Sequence, residues 1–254
     1  MLWRVQNTDK YFLSSMHLLP EHDSELDARI LGLLPQMSRV MFECDLSNAT
    51  VPDFATYQDR CQLYEILPAD MYAKCARLWE GLNLGGNLGS CKPWWAALLI
   101  SLATAIKNGF SLDRGVEKQL LVNISADRRA YLENPHMAML PFEQAPISEQ
   151  ILFLEKSCAG EEAIMAEYRN IYSAWRSSDL TALSKILDDH MAILPSMYTT
   201  LITRRNQMWA PEITELMTDP SPTLFVLGAL HYVGSNRFPD CLDGPHKYVF
   251  QKVC

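Results

Sequence analysis

The sequence predicts an α/β fold: a central mixed sheet built from both chain ends, with a large helical insertion between them. Strand-type runs are concentrated in residues 1–46 and 222–254, whereas residues 47–221 show mostly helical spacing. The two ends also echo each other, since each has an apolar strand that ends in small residues and then a single histidine. We expect one domain over residues 1–254, with a weak two-fold internal repeat.

The N-terminal elements follow from alternating apolar residues and from the turn residues between them. Ser24 is a favourable N-cap and Pro35 cannot continue a helix, so a helix is expected between them. A short polar turn at residues 7–9 separates the first two strands. The elements expected here are strands at 2–6 and 10–16, a helix at 24–34 and a strand at 39–45.

The middle and the C-terminal part are divided by helical spacing, glycine and proline. The glycine-rich stretch 82–90 lacks the spacing of nucleotide-binding loops, so we interpret it as a linker. Asp179 is expected to cap a helix, and Pro211 is expected to kink or end one. The elements expected here are helical residues at 51–67 and 68–81, helices at 93–107 and 112–124, a strand at 128–133, a loop at 134–146, mostly helix at 147–217, and strands at 223–228 and 247–253.

The composition argues against several classes of protein. The net charge of -8 is opposite to the basic surface that nucleic acids and anionic membranes select. Seven cysteines without a Cys-x-x-Cys pair argue against a structural zinc site and favour a reducing compartment. The most apolar segment, 94–106, is shorter than the roughly 20 residues that span a bilayer. As the chain stands we expect it to be cytoplasmic, and exported or membrane-anchored if a leader was trimmed.

Two histidines at strand ends are the first candidates for chemistry. The chain has Tyr11-Phe-Leu-Ser-Ser-Met-His17 near its start and Leu224-Phe-Val-Leu-Gly-Ala-Leu-His231 near its end. Strands deliver their last side chains to the sheet edge, where open α/β sheets bind ligands. Either imidazole alone could be an ordinary buried histidine with a structural partner. Their matched contexts favour a shared pocket.

An acid after the third predicted strand is the next candidate. Glu43 follows an apolar strand and would be costly to bury without a partner or a purpose, although it could simply pair with an arginine. Two imidazoles and a carboxylate can bind a metal ion or exchange protons. Arg205 could hold an anion, although a surface charge is the ordinary interpretation. Glu117 and Glu133 lie near element ends and are more simply structural.

Seven short motifs then follow one another in the order of a known family. They are Leu2-Trp-Arg-Val5, Ser14-Ser-Met-His17, Phe42-Glu-Cys-Asp45, Arg114-Gly-Val-Glu117, Leu132-Glu133 with Leu140 to Gln150, Arg205-Asn206, and Gly228-Ala-Leu-His231. On these motifs the chain resembles the TraB/GumN family, which includes the TIKI metalloproteases. That family is distantly similar to erythromycin esterase and to the haem-binding lipoprotein ChaN. Departures from its pattern at Ser14, Trp209, Pro211 and Leu230 indicate a pocket of altered shape.

The resemblance implies an α/β fold with a helical insertion and a site of two histidines, a glutamate and an arginine. These would be His17, Glu43, His231 and Arg205. The TIKI branch uses a divalent metal of the manganese or cobalt type to cut peptides, so His17, Glu43 and His231 are the metal ligands that the resemblance implies. In the esterase branch, His and Glu act as acid and base groups that activate water.

The function expected from the resemblance is that of a metal-dependent hydrolase acting on a peptide or another amide or ester. Arg205 would steady an oxyanion or a substrate carboxylate, and Glu117 and Glu133 would fix the histidine tautomers. The alternative is a non-catalytic protein that binds a metal, haem or a small ligand in the same pocket. The expected partner is a peptide or small-molecule substrate; the sequence indicates neither its identity nor the oligomeric state.

Overall fold

The architecture is taken from a computed structural model, which describes residues 1–23, 25–45, 50–58, 62–242 and 248–254. Six strands of these residues form a mixed sheet that helices cover, so the predicted α/β fold is confirmed. The sheet consists of β1 (Leu2–Val5), β2 (Lys10–Ser15), β4 (Arg39–Phe42), β6 (Arg129–Tyr131), β7 (Thr223–Gly228) and β8 (Phe250–Lys252). A separate pair of short strands consists of β3 (Leu19–Pro20) and β5 (Phe110–Ser111).

The strand order places four parallel strand ends along one edge of the sheet. The order is β6-β4-β7-β2-β1-β8, in which β6, β4, β7 and β2 are mutually parallel. β1 runs antiparallel to both β2 and β8. The register pairs Ser15 with Gly228, and Phe42 with both Val226 and Tyr131. The residues that follow these four strands therefore meet at the same edge.

The helices of the described chain lie mainly between β4 and β7. Most belong to the predicted insertion and connect strands that run parallel, as crossover connections must. They are α1 (Ala28–Leu33), α2 (Leu63–Ile66), α3 (Ala69–Gly81), α4 (Pro93–Lys107), α5 (Val116–Leu121), α6 (Pro135–Gln144), α7 (Ile147–Ser157), α8 (Glu161–Arg176), α9 (Leu180–Ile193), α10 (Pro195–Tyr198), α11 (Arg205–Thr218) and α12 (Phe238–Cys241). A π-helix, Thr199–Arg204, joins α10 to α11 without a break.

Both faces of the sheet are buried, which explains the continuous apolar runs in its central strands. Leu224 and Val226 of β7 pack with α1, α5, α8 and α9 on one face, whereas Phe225 and Leu227 pack with α11 and α12 on the other. Phe12 of β2 stacks on Phe225 with ring centroids 4.6 Å apart. Burying each such side chain contributes about 1.5–3 kcal/mol, so this sandwich fixes the strands that carry the edge residues.

A second core lies within the helical insertion. α3, α4 and α7 enclose fully buried residues that include Cys75, Ile100 and Leu154. α4 and α7 make the most extensive helix–helix contact of the described residues. Pro93 occupies the first turn of α4, where its missing N–H costs nothing, and the helix runs over the predicted range 93–107.

Several predictions of local structure differ from the structure. In residues 51–67, where helix is expected, the described part holds only a 3-10 turn, Asp53–Ala55, and the short α2. Thr56, between these two elements, pairs with Cys91 in an isolated β-bridge. The predicted loop 134–146 is also wrong, since α6 occupies it. Asn134 caps this helix by accepting a hydrogen bond from the Met137 N–H at 2.9 Å.

Helix ends account for the other differences. The predicted cap Ser24 lies outside the described residues, and Asp27 is the N-cap of α1. Asp179 caps α9 as predicted. α11 continues through Pro211 to Thr218, so the proline does not end the helix. The start predicted for the last strand, Lys247, lies outside the described residues.

The range assigned to the insertion also contributes to the sheet. β6 lies within residues 47–221 and forms the edge strand next to β4, so the sheet does not come from the chain ends alone. Among the described residues, none of the helices has both the length and the apolar character that crossing a bilayer requires.

Candidate active site

Four functional candidates follow the four parallel strands at one edge of the sheet. His17 comes two residues after β2, and Glu43 directly follows β4. His231 lies in the 3-10 turn that follows β7. Glu133 comes after β6, where its N–H donates to the Glu43 carbonyl at 2.9 Å and extends the ladder beyond the strands. This arrangement explains how residues far apart in sequence come to share one site.

Glu43 is a buried carboxylate with a donor on each oxygen. Its Oε2 accepts a hydrogen bond from Arg205 Nη2 at 2.6 Å, and its Oε1 accepts one from the Gly228 N–H at 2.5 Å. A Cβ at position 228 would lie 3.2 Å from Oε1, so a larger residue there would push the Glu43 carboxylate away by a few tenths of an ångström. Burial raises the pKa of Glu43, but the charges of Arg205, His231 and His17 outweigh it and lower the pKa to about 2.

Arg205, the first residue of α11, connects two of these strand ends. Its Nε donates to Glu133 Oε1 at 3.0 Å, and Nη2 donates to both glutamates. Nη1 donates to the Leu201 carbonyl at 3.3 Å, and the guanidinium stacks on Trp209, 4.5 Å from its ring centroid. Burial raises the pKa of Glu133 in spite of the attraction of Arg205. Each guanidinium nitrogen therefore donates at least one hydrogen bond, and four of the five N–H groups have a partner among the described residues.

His231 is buried, and Asn206 fixes its orientation. His231 Nδ1 lies 2.6 Å from Asn206 Oδ1, while Asn206 Nδ2 donates to the Asn236 carbonyl at 2.8 Å. Because the amide nitrogen is the donor to Asn236, its oxygen accepts from His231, which assigns the proton to Nδ1 and leaves a lone pair on Nε2. Burial lowers the pKa of His231 to about 4, against the attraction of Glu43. The imidazole is thus neutral, with Nε2 only 3.6 Å from Glu43 Oε1.

His17 differs from the buried His231, because half of its side chain is exposed and it pairs with a carboxylate. Its Nδ1 lies 3.1 Å from Glu117 Oε1 on α5. The negative charge of Glu117 raises the pKa of His17 to about 9, although burial opposes the shift. Burial raises the pKa of Glu117, and the charge of His17 more than compensates, so that it is lowered.

Gly115 explains why α5 can present Glu117 to His17. A Cβ at position 115 would lie 2.2 Å from the His17 carbonyl oxygen, which no side chain tolerates. The next residue, Val116, donates its N–H to the Met16 carbonyl at 3.0 Å. The start of α5 is therefore pressed against the end of β2.

Comparison with known proteins identifies the family to which this chain belongs. The family model described as the TraB/PrgY/gumN family matches residues 1–245. The chain belongs to the TraB/PrgY/gumN family. The match is to the family as a whole and assigns the chain to no branch of it. No curated protein and no solved structure matches the chain.

The residues predicted in this TraB/PrgY/gumN member share one edge, but their contacts differ from the expectation. Glu117 contacts His17 as expected for a group that fixes a tautomer. Glu133 instead contacts Arg205, and Asn206 is the residue that orients the second histidine. Sequence reasoning did not single out Asn206 for this role, although it forms part of the Arg205-Asn206 motif. Ser14, which replaces the glycine of the family's pattern, accepts a hydrogen bond from Trp175 Nε1 at 2.9 Å.

The donor types suit the divalent metal that the TraB/PrgY/gumN resemblance implies. Both histidines have Nδ1 held by a polar side chain, which leaves Nε2 for an ion, the usual arrangement of metal-binding imidazoles. His231 Nε2 and Glu43 Oε1, 3.6 Å apart, are only slightly wider than two ligands of one ion, which stand about 3–3.5 Å apart. However, no three His, Cys, Asp or Glu side chains of the described ranges gather closely enough to hold a metal. The three-ligand set stays a prediction.

Proposed function

We propose that this protein is a hydrolase of amide or ester bonds, peptide bonds included, that activates water at the sheet edge that carries His17, Glu43 and His231, with a divalent metal as cofactor. The observation that carries this proposal is the pair of acceptors, His231 Nε2 and Glu43 Oε1, that face each other 3.6 Å apart. Two facing lone pairs repel unless a proton or a cation lies between them. Three carboxylates, Glu43, Glu117 and Glu133, and two cations, Arg205 and His17, pair with one another at this edge, so negative charge is in excess by one.

His231 is the group best placed to take a proton. Glu43 already accepts hydrogen bonds on both oxygens, whereas Nε2 of His231 has no donor among the described residues. Asn206 keeps the other ring proton on Nδ1, and the Glu43 carboxylate stabilises the imidazolium that forms. A divalent ion bound by His17, Glu43 and His231 would lower the pKa of water and polarise the carbonyl.

Arg205 is held by the two glutamates and holds Glu43 in place. Four of its five N–H groups donate to described residues, so the predicted contact with an oxyanion is left with a single N–H, on Nη1. The exposed cation at this edge is His17, half of whose side chain faces solvent. In the metal-free form we therefore assign the stabilisation of developing negative charge to His17, which would have to lose its proton to bind the metal.

The engagement of Arg205 also favours the second candidate, a protein that binds a metal or a small ligand and catalyses nothing. A site in which Arg205 is engaged by two carboxylates retains the ligand atoms for an ion but has fewer groups for a transition state. The two candidates differ in turnover and share the binding site.

The first experiment is a measurement of metal content by elemental mass spectrometry. The protein is stripped with a chelator, reloaded with manganese, cobalt or zinc, dialysed, and compared with His231→Ala and Glu43→Gln. We expect close to one ion per chain, and affinity lower by at least about 10-fold in both variants. Glu162→Gln is the matched control, since Glu162 is exposed on α8 and pairs with the exposed Arg169.

The second experiment is a peptide-library cleavage screen on the same proteins, with an ester panel beside it. Cleavage that requires the metal and disappears in Glu43→Gln supports the metallohydrolase. Cleavage without metal supports a metal-free mechanism in which His231 is the general base. Stoichiometric metal without cleavage supports the binding protein. If the wild type shows neither metal binding nor cleavage, both candidates are overturned.

A further inference from the structure

Two cysteines that are 83 positions apart in sequence lie side by side in the core of the insertion. The sulfur atoms of Cys75 and Cys158 are 3.3 Å apart, and each residue is at most 1% exposed. Cys75 lies on α3, and Cys158 caps the end of α7. Both are free thiols in this structure.

The surroundings hold this pair in place. Both cysteines belong to the cluster that α3, α4 and α7 enclose, with Trp79, Ile100 and Leu154 as neighbours. Cys91 belongs to the same cluster, but among the described residues its sulfur hydrogen-bonds to the Asn87 carbonyl, at 3.5 Å, and to no other cysteine. Proximity is thus a property of Cys75 and Cys158 and not of cysteines in this core generally. The hydrogen bond from Cys158 lowers the pKa of the Cys75 thiol, against the effect of burial, so Cys75 is the thiol that ionises first.

We propose that Cys75 and Cys158 are a disulfide site, which closes when the chain folds or opens locally in the presence of a small-molecule disulfide. Bond formation requires the sulfur atoms to approach by only about 1.3 Å, to the usual S–S length of about 2.05 Å. The Cys75 thiolate attacks the small disulfide, which yields a mixed disulfide and releases one small thiol. Cys158 then loses its proton and attacks the Cys75 sulfur, which releases the second small thiol. The protein loses two electrons and two protons, and the small disulfide gains them.

The link would enclose the part of the insertion that carries site residues. Glu117, Glu133 and the whole of α4 lie between the two cysteines in sequence. A cross-link over so long a segment removes many conformations from the unfolded chain, so the folded state gains stability. The inference does not depend on the proposed hydrolase activity, since it rests on the core of the insertion alone.

The test uses the full chain. The reduced protein is equilibrated with equal concentrations of reduced and oxidised glutathione, both natively and after refolding from denaturant. Free thiols are then alkylated in denaturant. Mass spectrometry should show two of the seven thiols protected, and peptide mapping should locate both at Cys75 and Cys158. Alkylation of all seven, a link between other cysteines, or glutathione adducts without a link would overturn the proposal.

Variants give an independent readout. The oxidised wild type should unfold about 10 °C above the reduced protein. Cys91→Ser is the matched control, because Cys91 is buried in the same cluster without a cysteine neighbour, and it should keep that difference. Cys75→Ser and Cys158→Ser should each abolish it. An equal difference in all three variants would mean that the pair is not the site.

Discussion

At the scale of single residues, Asn206 decides the chemistry of His231. Its amide oxygen lies 2.6 Å from Nδ1, and its amide nitrogen is fixed by the Asn236 carbonyl. The amide cannot rotate without losing the second bond, so only one histidine tautomer is satisfied. The availability of Nε2 therefore depends on a neutral side chain that neither binds an ion nor titrates.

Asn206→Ala should consequently impair the site without removing any ionisable group from it. We expect metal affinity, or turnover if no metal binds, to fall by about 10- to 100-fold. Metal affinity by competition with a chelating dye is the measurement. Asn236→Ala is the control and should have little effect, because Asn206 contacts only the main-chain carbonyl of that exposed residue. Equal losses in the two variants would contradict the assigned role.

Arg205 forms a buried ion pair, whereas its neighbour Arg204 carries an exposed charge, so substitutions at the two positions compare these two kinds of charge. Arg205→Met leaves Glu43 and Glu133 without their cation, and we expect the free energy of unfolding at pH 7 to fall by about 3–5 kcal/mol. Arg204→Met removes an exposed charge and should change it by less than about 0.5 kcal/mol. Urea denaturation measures both. Part of the loss in Arg205→Met should be recovered at lower pH, where the unpaired carboxylates are protonated.

The sequence revealed the charged residues of the site but not their pairing. His17, Glu43 and His231 could be predicted together because each follows an apolar strand, and parallel strands end at one edge. The partner of Glu133 could not, since the Arg205 side chain reaches it from a helix 72 residues away in sequence. The proximity of Cys75 and Cys158 could not be predicted either, because the cysteine spacing alone favoured free thiols over a disulfide.

At the scale of elements, the start of α5 shows how one glycine positions a histidine of the candidate site. Gly115→Ala would place a methyl group against the His17 carbonyl, so α5 must move away and Glu117 with it. We expect stability to fall by about 1–3 kcal/mol and the pKa of His17, followed by NMR, to return toward its ordinary value. Gly85→Ala is the control, because nothing lies within 4 Å of a Cβ there. An unchanged His17 pKa in Gly115→Ala would show that the position of α5 does not control the pKa of His17.

Elements with a strong local pattern were predicted well, and elements defined by distant contacts were not. α4 was predicted over its full range because an apolar run follows a proline that suits the first turn. α6 was missed because Pro141 and Pro146 indicated a loop, although Pro141 lies within the helix and Asn134 caps its start. Thr56 pairs with Cys91, a contact that no pattern within residues 51–67 could indicate.

At the scale of the whole molecule, the two histidines make stability depend on pH in different ranges. The pKa of His17 is raised to about 9, so the folded state holds this proton more tightly than the unfolded chain does. The resulting stabilisation is fully present below about pH 6.5 and is lost as the pH rises through 9. His231, with its pKa lowered to about 4, contributes instead a loss of stability as the pH falls from about 6.5 through 4.

The alkaline part of this dependence gives a test on metal-free protein. Between pH 6 and pH 9.5 the wild type should lose about 1 kcal/mol more than His17→Ala, a small value because half of the side chain faces solvent. Urea midpoints at the two pH values measure the difference. His22→Ala replaces an exposed histidine and should behave like the wild type. The same slope in His17→Ala and in the wild type would show that the pair with Glu117 contributes nothing.

The π-helix at Thr199–Arg204 has a consequence for how this chain tolerates changes in length. Successive residues of an α-helix are about 100° apart around its axis. A wider turn therefore sets the angular phase of all that follows it, and here it directs Arg205, Asn206 and Trp209 toward the strand ends. A π turn holds about one residue more than an α-helical turn, so deleting one residue from it would restore regular α-helical geometry and leave those three side chains near their present direction. A deletion from a regular α-helical turn would instead rotate the residues that follow it by about 100°. The lengthened turn is thus a place where this helix can lose a residue and still present the same side chains to the strand ends.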